Sequence, residues 1–191
     1  MKLDLDHYIF RQKKVFTRKF CKQTIDELRS YPWEKHQFKL YTGKEEVEDR
    51  APSGEYEPDC CFPGGGINDY IIKKLKPVIL AYVDRLDFHW WKGWSGYSPI
   101  KVNRYTKKTR MFEHCDHIHT LFEGDRKGVP TLSIIGMLND DCEGGDLVFF
   151  QNKKIVLSAG EVVIFPSNFL YPHKVTPIKK GCRVTFVSWV W

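Results

Sequence analysis

From Pro99 to the C-terminus the chain breaks into short, β-rich runs separated by turn signals, and this pattern restricts the fold more than any other feature. The runs are Ile100–Tyr105, Met111–Asp116, Thr131–Leu138, Asp146–Phe150, Lys154–Leu157, Glu161–Phe165, His173–Thr176 and Cys182–Trp191. Gly144-Gly145, Ala159-Gly160 and Lys180-Gly181 mark turns between them. Short strands at this spacing predict an antiparallel sandwich or barrel of jelly-roll type, a double-stranded β-helix.

The N-terminal half has a different texture. His7 to Phe16 alternates loosely and predicts an opening strand. Thr17 is placed to cap a helix running to about Ser30, with Phe20, Ile25 and Leu28 as its apolar stripe and Pro32 beyond its end. Gln37 to Thr42 predicts a second strand. Residues 43–66 form a long polar connection with the length of a lid or binding loop. Asn68 to Leu86 reads as a helix through Ile71, Ile72, Leu75, Ile79, Val83 and Leu86, with Pro77 predicting a kink or an interruption. Trp90, Trp91 and Trp94 follow, as a cover for the open end of a sheet or as a stacking surface for a ligand. The expected class is mainly β with N-terminal helices (α+β). A chain of 191 residues with 42% hydrophobic content can bury one core, so residues 1–191 are read as a single domain, with 1–98 supporting a jelly-roll core at 99–191.

One of the β-rich runs carries unusual chemistry. Met111 to His119 holds three histidines and two acids. Residues i and i+2 of a strand share a face, so His114 and Asp116 would stand side by side. The only histidine after residue 119 is His173, near the start of a late strand. Two imidazoles and one carboxylate on one side of a metal leave open positions, the arrangement of non-haem Fe(II) oxygenases. Arg183 lies ten residues after His173, and Tyr105 nine before His114. A guanidinium and a hydroxyl in the same barrel mouth suit the far carboxylate of a dicarboxylate co-substrate.

This ordered set resembles the Fe(II)- and 2-oxoglutarate-dependent dioxygenases, and among them the prolyl 4-hydroxylase group. The matching elements are Tyr105, His114-Cys-Asp116, Leu138-Asn139, Gly144-Gly145-Asp146, Ala159-Gly160, and His173 with Arg183. The resemblance covers about residues 99–191. It implies that His114, Asp116 and His173 hold Fe(II), and that Arg183 and Tyr105 hold the distal carboxylate of 2-oxoglutarate. It also implies consumption of O2, release of succinate and CO2, and hydroxylation of an unactivated C–H bond, with ascorbate as an accessory. A prolyl residue in a peptide or protein is the first substrate choice, another protein side chain or a free amino acid the second. Trp189 matches a tryptophan found near the metal in some members, and Trp94 is a further candidate for an aromatic groove. An acid at position 116 leaves no vacancy for a halide and argues against halogenation. Met137 stands where a tyrosine is common in the family.

Other readings remain open on the residues alone. His117, His119 and Glu123 form a partial cupin metal motif, without its flanking glycines. A jelly-roll binding module would explain the fold but not the converging polar set. The net charge of +6 permits an acidic partner, yet the last strand lacks the asparagine and second arginine typical of nucleic-acid repair oxygenases, which argues against nucleic acid. The first residues lack the apolar segment of a signal peptide, and no run approaches the ~18 apolar residues of a membrane span. Six cysteines without a CxxC pair read as reduced thiols, with a cytoplasmic location as the expectation.

Overall fold

The computed structural model describes residues 4–36, 38–41, 46–49, 56–87, 93–116 and 129–191. Among the described residues, two α-helices and fifteen strands follow a short 3-10 turn at Leu5–Tyr8. In chain order they are β1 (Phe10–Gln12), α1 (Arg18–Glu27), β2 (Glu34–Lys35), β3 (Phe38–Tyr41), β4 (Glu46–Asp49), β5 (Asp59–Cys61), α2 (Gly65–Leu86), β6 (Lys101–Tyr105), β7 (Met111–His114) and β8 (Leu132–Met137). Then come β9 (Glu143–Gly144), β10 (Leu147–Phe149), β11 (Lys153–Ile155), β12 (Val162–Pro166), β13 (His173–Val175), β14 (Ile178–Lys180) and β15 (Arg183–Val190).

The strands form a major sheet in the order β1-β12-β8-β15-β6-β5-β2 and a minor sheet in the order β11-β10-β13-β7. The ladders are antiparallel throughout, and the fold is a double-stranded β-helix. Two small ladders, β9–β14 and β3–β4, complete the set.

The major sheet is buried on both faces, which explains why its central strands read as continuous apolar runs. All six residues of β8 are buried. Leu132 and Ile134 join Val162, Ile164, Val184 and Phe186 in a core against the helices. Ile135 and Met137 face the opposite way, with Val163, Phe165, Leu147, Phe149 and Val175, and fill the space between the two sheets. Alternation along each strand thus sorts one sequence into two cores.

The helices supply the outer layer. Thr17 caps α1 as expected, its hydroxyl accepting from the Phe20 amide at 3.1 Å. Ile67, Ile71, Leu75, Val78, Tyr82 and Leu86 form the buried stripe of α2. Pro77 does not interrupt this helix, which runs unbroken for 22 residues. Buried side chains on both sides of Pro77 offset the one hydrogen bond it cannot donate.

Other expectations need correction. The opening strand shrinks to three residues, because Asp4 caps a 3-10 turn through the Asp6 amide. The long connection at 43–66 contains β4, β5 and the first two residues of α2, while residues 43–45 and 50–55 lie outside the described residues. The ladder β9–β14 was not expected from sequence.

Gly136 sits opposite Phe186 in the β8–β15 register. A Cβ there would lie 2.1 Å from the Phe186 ring, which is fully buried. Gly136→Ala is expected to destabilise the protein by about 1–3 kcal/mol through overpacking, read as a lower midpoint in urea.

Asp59 anchors β5 at the edge of the barrel, with Lys35 Nζ at 2.7 Å and Arg104 Nη2 at 3.0 Å. Burial resists its charge, but the hydrogen bonds from Lys35 and Arg104 outweigh it and hold the carboxyl below its ordinary value. A depressed carboxyl stabilises the fold above its unfolded pKa of about 3.9 and loses that contribution as pH falls through the lower folded value. The difference in Tm between the protein and Asp59→Asn is therefore expected to hold constant at neutral pH and to shrink in acid.

Candidate metal and co-substrate site

β7 and β13 pair with His114 directly opposite His173. Their ring centroids are 4.4 Å apart. Asp116 follows two residues after His114, just past the end of β7. Its Oδ1 lies 3.4 Å from His114 Nε2 and its Oδ2 3.9 Å from His173 Nε2. One ligand atom from each of the three falls within 4.8 Å of the others.

Each imidazole is oriented by its own strand. His114 Nδ1 donates to the Phe112 carbonyl at 2.8 Å, and His173 Nδ1 to the Tyr171 carbonyl at 3.1 Å. With Nδ1 engaged in this way, Nε2 is the nitrogen that each ring turns toward Asp116. Phe149 and Phe165 pack against the His173 ring at 5.4 and 5.0 Å.

The protonation states suit a metal. Burial pulls His173 down to about 4, so it is neutral at pH 7. Burial also resists charge on Asp116, but His173, His114 and a hydrogen bond from Ser133 outweigh it and hold the carboxyl well below the usual carboxylate range. For His114, burial is outweighed by Asp116, and the imidazole is raised. A divalent cation would replace the proton that Asp116 favours there. Two Nε2 atoms and a carboxylate oxygen fit Fe(II) with open positions.

Arg183 starts β15 opposite Tyr105, the last residue of β6. Both are 2% exposed. The guanidinium lies 5.0 Å from the Tyr105 ring centroid and shares a hydrogen bond with that side chain. Burial pushes the Tyr105 hydroxyl up to about 12, so it remains a donor. Among the described residues Arg183 Nε has no hydrogen-bond partner, and no carboxylate lies within ion-pair distance of the guanidinium. A buried cation lacking its anion fits a carboxylate supplied by a ligand. Gly145 makes room for it: a Cβ there would approach Arg183 Cδ to 2.9 Å, and its φ of +69° suits glycine.

Residues 100–191 match the family model described as the 2OG-Fe(II) oxygenase superfamily. A PKHD-type hydroxylase of Prochlorococcus marinus is 32% identical over 89 residues, covering 45% of this chain and 39% of that protein. The chain spans well under two thirds of the length of such curated relatives. Two solved structures share the fold. A prolyl-4-hydroxylase of Pseudomonas putida superposes with a TM-score of 0.66 at 17% identity, over 96% of this chain and 92% of that one. A prolyl hydroxylase of Trichoplax adhaerens, in complex with a hypoxia inducible factor peptide fragment, gives 0.65 at 16% identity, over 97% and 84%.

The register of the major sheet places the remaining candidates. Arg183, Thr185, Val187 and Trp189 alternate onto one face of β15. Trp189 stands opposite Ser133, whose hydroxyl reaches Asp116. Trp189 is therefore on the metal side of the sheet. Trp94 is not: it packs edge-on against Tyr97 at 6.0 Å and against the helix-side core. Trp90, Trp91, His117, His119 and Glu123 lie outside the described residues.

Sequence reasoning missed several polar residues of the pocket. Ser133 was hidden inside an apolar run. Lys101 and Asn103 share the Tyr105 face of β6, a polar i, i+2 row that alternation could have revealed. Lys101 Nζ contacts His36 Nδ1 at 2.6 Å. Glu57 carries no sequence signal, because the charged groups that act on it come from three separate segments.

Proposed function

We propose that this chain is an Fe(II)- and 2-oxoglutarate-dependent dioxygenase that hydroxylates an unactivated C–H bond, with a prolyl residue of a peptide or protein as substrate. The observation that carries the reading is a metal-competent trio, His114, Asp116 and His173, in one barrel with a buried arginine that has no carboxylate partner among the described residues. The names of the two solved relatives support the prolyl part of it.

When bound, iron and 2-oxoglutarate supply oxidation of a C–H bond coupled to release of succinate and CO2. The chain supplies placement. With the metal in place of the proton that Asp116 favours on His114, His114 and His173 would offer their Nε2 atoms and Asp116 the anion. Ser133 steadies Asp116. Arg183 and Tyr105 would receive the distal carboxylate, the guanidinium by charge and the hydroxyl by donation. The rings of Phe149 and Phe165 exclude water behind His173. Trp189 walls the substrate side. Ascorbate enters this reading only as an accessory reductant.

Residues 1–98 would support, and 99–191 perform, the chemistry of one domain. All six cysteines are free thiols, which favours a reducing, cytoplasmic setting. No helix among the described residues is long and apolar enough to cross a membrane. The test is anaerobic loading with Fe(II) and 2-oxoglutarate, then O2 and a proline-containing peptide library. The expected result is succinate formation and a gain of one oxygen atom on proline. Absence of both Fe(II) binding and 2-oxoglutarate decarboxylation would falsify the oxygenase reading.

A further inference from the structure

Lys101 begins β6, and strand alternation puts it on the face that carries Asn103 and Tyr105. Val102 fixes the sense of that alternation, since it is fully buried in the helix-side core while Tyr105 belongs to the inter-sheet core. Lys101 pairs with Val187 of β15, which packs on the inter-sheet core and pairs in turn with Ile135 of β8. The next row of side chains, away from Arg183, is Trp189 opposite Ser133. Lys101 is thus one row and two strand spacings from Ser133, on the order of 12 Å between Cα atoms. It is four residues from Tyr105, about 14 Å along β6. The far carboxylate of the co-substrate, assigned to Tyr105 and Arg183, lies at the other end of this face.

Lys101 is only partly buried. Its amine lies 6.0 Å from the ring centroid of Phe62, which is 54% exposed, so this end of the face opens to solvent. Among the described residues the amine makes one polar contact, to His36 Nδ1 at 2.6 Å, and no carboxylate lies within ion-pair distance of it. The nearby acids do not serve it. Asp59 is held by Lys35 and Arg104 at 2.7 and 3.0 Å, and neither Glu57 oxygen has a hydrogen-bond partner among the described residues. Burial and the Lys101 charge hold His36 down at about 3, so its imidazole accepts the hydrogen bond and brings no charge. Burial also lowers the Lys101 amine, an effect that an arriving anion reverses. A cation at an open pocket wall, with a neutral imidazole where a counter-ion would stand, fits an anion carried by a ligand.

We propose that Lys101 determines substrate specificity by receiving a carboxylate of the substrate, so that the site prefers an acidic substrate to its neutral analogue. This rests on the oxygenase reading and narrows its substrate to a molecule with a carboxylate near the carbon that is oxidised. Two sources share that chemistry: an acidic side chain beside the reacting residue of a peptide, and the main-chain carboxylate of a free amino acid. An amine on a flexible four-carbon stem, with three rotatable donors, can meet either.

The test uses the full chain loaded anaerobically with Fe(II) and 2-oxoglutarate, with Lys101→Met and Lys101→Arg beside the parent. Methionine keeps an unbranched stem without the charge, and arginine keeps the charge. The probes form two pairs, each differing by one negative charge. One is an acetylated, amidated alanine–proline–glutamate–alanine peptide against its glutamine counterpart, the other free proline against prolinamide. Affinities are read by calorimetry. The parent is expected to favour the charged member of one pair by at least about tenfold, the worth usual for a charge-assisted hydrogen bond. The pair that shows it identifies the source of the carboxylate. Lys101→Met is expected to bind both members alike, at the parent's affinity for the neutral one, and Lys101→Arg to keep part of the preference. Absence of a charge preference in the parent for either pair overturns the proposal, as does a preference that survives Lys101→Met. An equal loss for both members in Lys101→Met, with a lower Tm, would make Lys101 a structural tie to His36 and overturn it too. Failure of the oxygenase reading would appear separately, as absent Fe(II) and 2-oxoglutarate binding at the loading step.

Discussion

Asp116→Ala and His173→Ala are each expected to abolish turnover, by more than the roughly 100-fold loss common when only a residue supporting a metal ligand is changed. Each removes one of three ligands. The remaining pair, His114 with either His173 or Asp116, cannot hold a divalent ion in the same geometry. His173 is 3% exposed, and its ring is pressed by Phe149 and Phe165, so His173→Ala also leaves a cavity. Asp116→Ala leaves the β7–β13 pairing intact, which makes it the cleaner variant. Metal analysis after dialysis against Fe(II) should show loss of stoichiometric binding, with an unchanged far-UV circular dichroism spectrum. Wild-type turnover in either variant would mean that the metal sits elsewhere.

Arg183→Met is expected to raise the requirement for 2-oxoglutarate by roughly 10- to 150-fold, the worth of a charged hydrogen bond of about 1.5–3 kcal/mol. Methionine keeps much of the stem that fills the space beside Gly145 and removes the guanidinium. In the free protein Arg183 is a buried cation without a carboxylate partner among the described residues. Its loss should therefore cost little stability and could raise Tm. Co-substrate affinity and stability moving in opposite directions is the signature of a ligand-binding arginine. An unchanged affinity for 2-oxoglutarate would remove Arg183 from the site.

The sequence was most informative where periodicity and chemistry coincided. His114 and Asp116 could be paired because a strand repeats every two residues, and His173 because no other histidine follows residue 119. Tyr105 and Arg183 were found by spacing, and the β6–β15 register sets them face to face. Aromatic residues were harder. Which face of the sheet Trp94 or Trp189 joins depends on pairing that neither residue encodes. Trp189 stands in the β15 register opposite Ser133, whereas Trp94 lies near the isolated bridge of Tyr97 with Val190, on the helix side. Pro77 misled because local backbone preference was outweighed by the packing of Leu75, Val78 and Ile79. β9 and β14 are too short to show any period.

The major sheet has a consequence for how damage to this protein would appear. Its central strands carry the helix-side core on one face, and the inter-sheet core together with the pocket residues on the other. A slip of one position along β15 would send Arg183 and Trp189 into the helix layer and Val184 and Phe186 into the pocket. No partly mispaired form can keep its core and lose only its chemistry. Substitutions that weaken the sheet should therefore lower the number of working molecules, while each surviving molecule works at full rate.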